Sequence, residues 1–236
     1  MEVKGFVEVS LVDWDGRVSS VVFLSGCNMR CPFCYNATLV LRPNEMPTIP
    51  FERVESHLKK SRVWIDGVVI TGGEPTVHNE LPRLCEEIKA LGLLVKVDTN
   101  GTNPQVIKEL VRNRLVDYVA MDVKAPLTPQ RYSEASGVDA GPFLGNVEHT
   151  IDFLMTGDIE HEFRTTLVPK LHTREDVVKI CQRIKNCKKY ALQNFKSDVE
   201  TINPSFKNLK PFTVKEMQSF LAEAKRFVPK AVLRGF

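Results

Sequence analysis

The sequence predicts an α/β fold, a partial (β/α)6 barrel behind an N-terminal β-hairpin, and three observations carry that expectation. From Val18 to Phe195, short apolar runs alternate six times with segments whose apolar residues recur at helical spacing, the pattern of a parallel sheet covered by helices. No low-complexity linker interrupts the alternation, so a single domain over residues 1–236 is expected, with a core at about 18–195 and a closing helix at about 213–228. The chemically unusual residues follow the strands, where barrels and doubly wound sheets alike place their active sites. A doubly wound open sheet fits the same alternation. An eight-unit barrel commonly needs about 250 residues or more, so six units here would leave a TIM-like barrel open.

The elements follow in order. Phe6 to Trp14 and Arg17 to Leu24 are rich in Val and aromatics, and Asp15-Gly16 between them is a two-residue hairpin signal. After a cysteine-rich loop, Pro43 to Pro50 reads as a connector, and Phe51, Val54 and Leu58 start a helix that ends near Ser61. Gly67 to Thr71 is a short buried strand stopped by Gly72-Gly73-Glu74-Pro75. Leu81, Leu84, Cys85, Ile88 and Leu91 trace one helix face. Leu93 to Val97 is the next strand, stopping at Asp98-Thr99-Asn100-Gly101, and Pro104 opens the helix after it. Val116 to Val123 is a strand, Thr128 to Ser136 and Phe143 to Met155 are helical, and Gly157 ends the second of these. Glu160 to Val168 reads as a strand, Thr173 to Lys185 as a helix capped by Thr173, and Tyr190 to Phe195 as the sixth strand. The last helix carries Val214, Met217, Phe220, Leu221, Ala224 and Phe227 on one side, with Thr213 as its N-cap.

Composition narrows the function classes. Hydrophobic residues at 43% and charged residues at 26% describe an ordinary soluble protein, and a net charge of +3 is too small to argue for nucleic acid. No signal-type segment and no run of about 18 apolar residues occurs, so no membrane association and a cytoplasmic location are expected. Thiols stay reduced there, which turns clustered cysteines toward metal binding or catalysis.

Three thiols, Cys27, Cys31 and Cys34, lie within eight residues directly after Val21-Val22-Phe23-Leu24. They read as a metal site on a strand-end loop. Closed structural zinc sites and most electron-transfer iron–sulfur clusters take four ligands, and Cys85, Cys181 and Cys187 stand far away in or beside helical sequence, so one coordination position is left for substrate. A Cys3His zinc site completed by a distant histidine, or a disulfide-forming trio, fits the same residues.

The C-x3-C-x2-C spacing, with Phe33 before the last cysteine, resembles the signature of the radical S-adenosylmethionine (radical SAM) superfamily. The resemblance implies one [4Fe-4S] cluster held by Cys27, Cys31 and Cys34. Gly72-Gly73-Glu74-Pro75 resembles the segment with which those enzymes hold the SAM amino group: the glycines allow close main-chain approach and Glu74 can receive a charged amine. Asp98-Thr99-Asn100-Gly101 and Met121-Asp122-Val123-Lys124 resemble the D-T-N-G and D-x-K segments of glycyl-radical-enzyme activases, which implies that Asp98, Asn100, Asp122 and Lys124 help to form the SAM site. An Asx-type turn and a solvated ion pair are the plain readings of these two segments. Arg164 and Glu162 share one face of their strand; if it points inward, Arg164 could clamp the SAM carboxylate or ribose, whereas a surface pair is the plain alternative. Gln193-Asn194-Phe195 resembles the end of the last barrel strand in the family. The five histidines are scattered, and Cys85 and Cys181 on apolar helix faces read as small core residues.

Within the superfamily, Phe23 to Asn36, the short chain, and Arg164-Thr165-Thr166-Leu167-Val168-Pro169 look most like the activating proteins of anaerobic ribonucleoside-triphosphate reductase, with pyruvate formate-lyase activases close behind. Tyr35 departs from the histidine common at that position. Ala37 to Leu84 contains no cysteine, so a single cluster is expected. The resemblance implies reductive cleavage of SAM with an electron from flavodoxin or ferredoxin, and abstraction of a glycine hydrogen from a partner glycyl-radical enzyme. A radical SAM enzyme acting on a small molecule, of the deazapurine synthase type, and a non-enzymatic metal-binding protein are the alternatives. The closing Leu233-Arg234-Gly235-Phe236 superficially resembles a glycyl-radical loop and reads as a decoy.

Overall fold

A computed structural model of the chain describes residues 2–235; Met1 and Phe236, the end of the decoy stretch, lie outside the described residues. The eight strands are β1 (Val3–Ser10), β2 (Ser19–Leu24), β3 (Gly67–Gly72), β4 (Leu94–Thr99), β5 (Tyr118–Asp122), β6 (Glu160–Leu167), β7 (Tyr190–Asn194) and β8 (Ala231–Arg234). They form one sheet in chain order, with β1 and β8 at its two ends. A doubly wound sheet reverses its order at a switch point. This one does not, and the order is that of an open, partial barrel.

By contacts the chain falls into two compact units, Met1–Asn28, Thr38–Thr99 and Gln105–Val119 forming one, and Met29–Ala37, Asn100–Pro104 and Ala120–Phe236 the other. In the first, β1 pairs antiparallel with β2, and β2, β3 and β4 pair in parallel, Val21 opposite Val69 and Val69 opposite Lys96. Val21, Val22, Val68, Val69, Ile70, Val95 and Val97 are fully buried, which is why these strands read as near-continuous apolar runs rather than alternating ones. The helices α1 (Ala37–Leu41), α2 (Phe51–Ser61), α3 (Leu81–Ala90) and α4 (Pro104–Arg112) follow the strands. Val54 and Leu58 of α2 and Leu81, Leu84, Cys85 and Ile88 of α3 are buried, as their spacing requires.

The hairpin departs from its sequence signal. Its strands stop at Ser10 and resume at Ser19, so eight residues, not Asp15-Gly16 alone, make the turn. The Ser10 hydroxyl accepts hydrogen bonds from the Val12 and Asp13 amides, and Trp14 turns into the core against Val21 and Val69. Burying the indole wins over extending the ladder, since an aromatic side chain is worth more than one strand pair.

In the second unit, β6, β7 and β8 are parallel, with Arg164 opposite Ala191 and Gln193 opposite Arg234. Its helices are α5 (Pro129–Ser136), α6 (Leu144–Thr156), α7 (Arg174–Arg183) and α8 (Val214–Lys225). Thr173 and Thr213 each form a capping box, with Asp176 and Glu216 respectively. The strand β8 has no counterpart among the sequence expectations: residues 231–234 belong to the sheet. The five-residue α1 was likewise not expected.

Candidate functional site

The first unit carries the glycine pair and the start of the cysteine loop. The Leu24 carbonyl accepts from the Gly73 amide (2.9 Å), and the Gly26 carbonyl, one residue before Cys27, accepts from the Glu74 amide (2.8 Å). A Cβ at Gly73 would overlap the Gly26 carbonyl oxygen, so this approach is open only to glycine. Gly72, at φ +119°, has the Leu24 backbone in the same relation. His78 donates from Nε2 to the Ser25 carbonyl (2.7 Å). The loop that presents Cys27 is therefore seated on the Gly72-Gly73-Glu74-Pro75 turn by main-chain contacts.

Glu74 is 1% exposed. Its Oε1 accepts from the Thr76 amide (3.2 Å) and from the hydroxyls of Thr76 (2.6 Å) and Thr99 (2.7 Å), so the carboxylate braces the turn against the end of β4 beside Pro75. Asp98 lies within β4, not in a turn after it, and its Oδ1 stands 3.4 Å from the Lys96 ammonium. Nothing in the sequence assigned Lys96 a role, and Thr99 stood out only as part of the Asp98-Thr99-Asn100-Gly101 segment. A lysine in an apolar strand two residues before an aspartate was the available signal.

The second unit carries Cys31 and Cys34. The Cys34 amide donates to the Cys31 carbonyl, the Arg30 amide to the Ser136 carbonyl at the end of α5, and the amides of Ile202 and Asn203 to the carbonyls of Cys34 and Pro32. The segment around residue 202, assigned no role by the sequence, is thus a brace of the cysteine loop. Asn100 is buried and caps its own turn, its Oδ1 accepting from the amide and hydroxyl of Thr102 (3.0 and 2.7 Å).

Asp122, Lys124 and Arg164 form one cluster: Arg164 Nε donates to Asp122 Oδ1 (2.8 Å) and Lys124 Nζ to Oδ2 (2.7 Å). Burial pushes the Asp122 carboxyl up, but the Arg164 and Lys124 charges outweigh it and hold the group well below the usual carboxylate range. Burial also opposes the charge on Lys124, whose ammonium is nonetheless held firmly protonated by Asp122, with Cys31 adding in the same sense. His172 accepts at Nδ1 from the Val168 amide and donates from Nε2 to the Lys124 carbonyl, fixing that residue's backbone. Arg164 lies two residues after Glu162 on the same side of β6 and pairs with Asp122 of β5. Glu162, 1% exposed, takes Arg234 of β8 on both oxygens (2.9 and 2.7 Å).

All six cysteines are free thiols. Cys85, Cys181 and Cys187 are buried and their thiols are pushed up to about 12, by burial first, which suits core side chains and not ligands. Burial also raises the Cys34 thiol, against the pull of the Asn36 amide and of Lys124. Among the described residues, no three His, Cys, Asp or Glu side chains gather around one metal-ion position. A cluster of four irons asks something else, one thiolate on each of three irons. The Cys31 and Cys34 thiols, with the Lys124 cation in electrostatic reach of both, fit as ligands of such a group.

Comparison with known proteins agrees with this chemistry. The model of the radical SAM superfamily matches residues 21–135. A protein of Methanocaldococcus jannaschii named as a candidate glycyl-radical enzyme activating enzyme is 34% identical over 98% of this chain and 95% of its own length. The pyruvate formate-lyase-activating enzyme of Streptococcus mutans is 28% identical over 75% of this chain and 69% of its own. Among solved structures, Streptococcus suis SuiB superposes with a TM-score of 0.69 at 13% identity over 91% of this chain, which spans 48% of the SuiB chain; that likeness speaks for the fold. No helix among the described residues is long and apolar enough to cross a membrane. The near full-length likeness to the first relative and the superfamily match over the cysteine loop, the glycine pair and Asp122 lead to one assignment: the chain belongs to the radical SAM superfamily, as an enzyme of the glycyl-radical enzyme activating family.

Proposed function

We propose that this protein, acting as one radical SAM domain, cleaves SAM reductively and abstracts a Cα hydrogen from a glycine of a partner glycyl-radical enzyme, an anaerobic ribonucleoside-triphosphate reductase. The observation that carries the reading is the loop presenting Cys27, seated on a glycine pair, in a chain similar along nearly its whole length to an activating enzyme. Cys27, Cys31 and Cys34 hold a [4Fe-4S] cluster. When bound, that cluster supplies one electron to SAM, which yields methionine and a 5′-deoxyadenosyl radical.

The chain's own residues bind and orient. Main-chain groups of Gly72 and Gly73 with Glu74 and Pro75 form the amine end of the SAM site, and Thr76 and Thr99 hold Glu74 in place. Asp98 and Asn100 contact the SAM body. Lys124 and Arg164, fixed on Asp122, present positive charge to its carboxylate. The electron comes from a flavodoxin or ferredoxin, and the partner presents its glycine within about 3–3.5 Å of the reacting carbon.

Electron paramagnetic resonance tests the reading. Protein, SAM, reductant and an anaerobic ribonucleotide reductase are combined, first with ordinary and then with α-deuterated glycine in the partner. A doublet that collapses on deuteration, with 5′-deoxyadenosine in proportion, is the expected result. A doublet on a pyruvate formate-lyase instead reassigns the partner, and SAM cleavage without a radical on any glycyl-radical enzyme of the same organism retires the reading in favour of a small-molecule substrate.

A further inference from the structure

Lys96 is the most deeply buried lysine of the described chain, at 2% exposure, in the middle of β4 between the fully buried Val95 and Val97. Desolvating an ammonium is costly, and only close partners offset the cost. Its partners are specific. The ammonium donates to the Asp13 carbonyl in the hairpin loop, stands 3.4 Å from Asp98 Oδ1 on the same face of the strand, and lies 5.7 Å from the centre of the Tyr118 ring. The Asp13 end is anchored in turn, because the Ser10 hydroxyl bonds both the Asp13 carboxylate and the Asp13 amide.

We infer that Lys96 is the positioning residue of Asp98: an ammonium anchored to the hairpin loop that holds the Asp98 carboxylate oriented as a SAM contact. The inference rests on the reading of Asp98 as such a contact. One end of β4 thereby holds two acidic groups by different means, Glu74 through the Thr99 hydroxyl and Asp98 through the Lys96 charge. Lys96 acts on SAM only through Asp98, since its own ammonium is already turned to the protein.

The test is equilibrium binding of SAM to the anaerobically reconstituted holoprotein, read from the SAM-induced change in the electron paramagnetic resonance spectrum of the reduced cluster. Lys96→Met and Asp98→Ala should each weaken binding about tenfold, with visible absorption of the cluster unchanged. The double variant should lose no more than either single one. Lys96→Arg, which keeps the charge, should bind within about threefold of wild type. Wild-type binding by Lys96→Met, or losses that multiply in the double variant, would overturn the inference and leave Asp98 as a contact. Wild-type binding by Asp98→Ala would overturn the Asp98 reading itself and the inference with it. If Lys96→Met does not fold, folding of Lys96→Met combined with Asp98→Asn supports the pair, because the lone buried carboxylate is then gone; failure of both assigns Lys96 to the hairpin loop alone and overturns the inference.

Discussion

Replacing Gly73 by alanine tests whether the glycine pair seats the cysteine loop. A Cβ there overlaps the Gly26 carbonyl oxygen and comes within 3.3 Å of the Cys27 nitrogen. Both are main-chain atoms, so no side-chain rotation relieves the overlap and the two segments must part. The bonds lost are those from the Glu74 amide to Gly26 and from the Gly73 amide to Leu24, at 2.8 and 2.9 Å. Two such bonds contribute about 1 kcal/mol each, and forced backbone displacement adds about 1–3 kcal/mol, so Gly73→Ala should cost about 3–5 kcal/mol. At roughly 2–4 °C per kcal/mol for a chain of this size, Tm should fall by roughly 6–20 °C. The assay is thermal unfolding of the reduced, metal-free protein by circular dichroism, followed by iron content after reconstitution, which should drop sharply. Gly145→Ala serves as control: nothing lies within 4 Å of its Cβ in the first turn of α6, and alanine there should be neutral or stabilising by up to about 1 kcal/mol. A Gly73→Ala protein with wild-type Tm and wild-type iron would refute the argument.

Reconstituted anaerobically, the protein should hold about four irons per chain, lose them on Ala substitution of Cys27, Cys31 or Cys34, and keep them on Ser substitution of Cys85, Cys181 or Cys187; stoichiometric zinc without visible absorption would contradict this. Asp176, 6% exposed, has its carboxyl raised by burial but lowered further by the hydrogen bonds of Arg131 and Thr173, for a net depression. A depressed folded-state value gives stability that is complete above the unfolded value near 4 and is lost as pH falls below it. Asp176→Asn should therefore cost about 1–2 kcal/mol at neutral pH and flatten the fall in urea stability below about pH 4; parallel pH curves for variant and wild type would rule out the pairing. Arg234→Ala should strip Glu162 of both short bonds, leaving Lys189 at 3.8 Å, and lower stability by about 3–5 kcal/mol. An unchanged urea midpoint would show that β8 contributes little.

The parts of the site legible in the sequence are those where a residue type is required by its own backbone or its own ligand chemistry. Three thiols in eight residues need no partner to be recognised. Gly72 and Gly73 stand out because only a residue without a Cβ admits another main chain so closely. Asp98, Asn100, Asp122 and Lys124 were legible as polar residues at strand ends, and Arg164 by the strand face it shares with Glu162, yet not their pairing. Arg164 sits beside Glu162 by strand periodicity, and a sequence cannot say that Asp122 meets Arg164 and Arg234 meets Glu162, since that depends on how neighbouring strands are staggered.

The sequence by itself determined the α/β class, the succession of strands and helices, and the capping residues Thr173 and Thr213. These are matters of local chemistry: apolar runs buried on both faces, one-sided helices, and side chains that reach a backbone amide three residues on. Only the tertiary structure decided the strand order, the early end of β1 at Ser10, the membership of residues 231–234 in the sheet, and the partners of Glu74, Lys96 and Glu162. The physical reason is common to all of them. Trp14 leaves the hairpin because a pocket between Val21 and Val69 exists only once the strands are paired. A buried charge such as Lys96 or Glu162 is stable only beside an opposite charge or a carbonyl brought in from elsewhere in the chain, Asp13 in one case and Arg234 in the other.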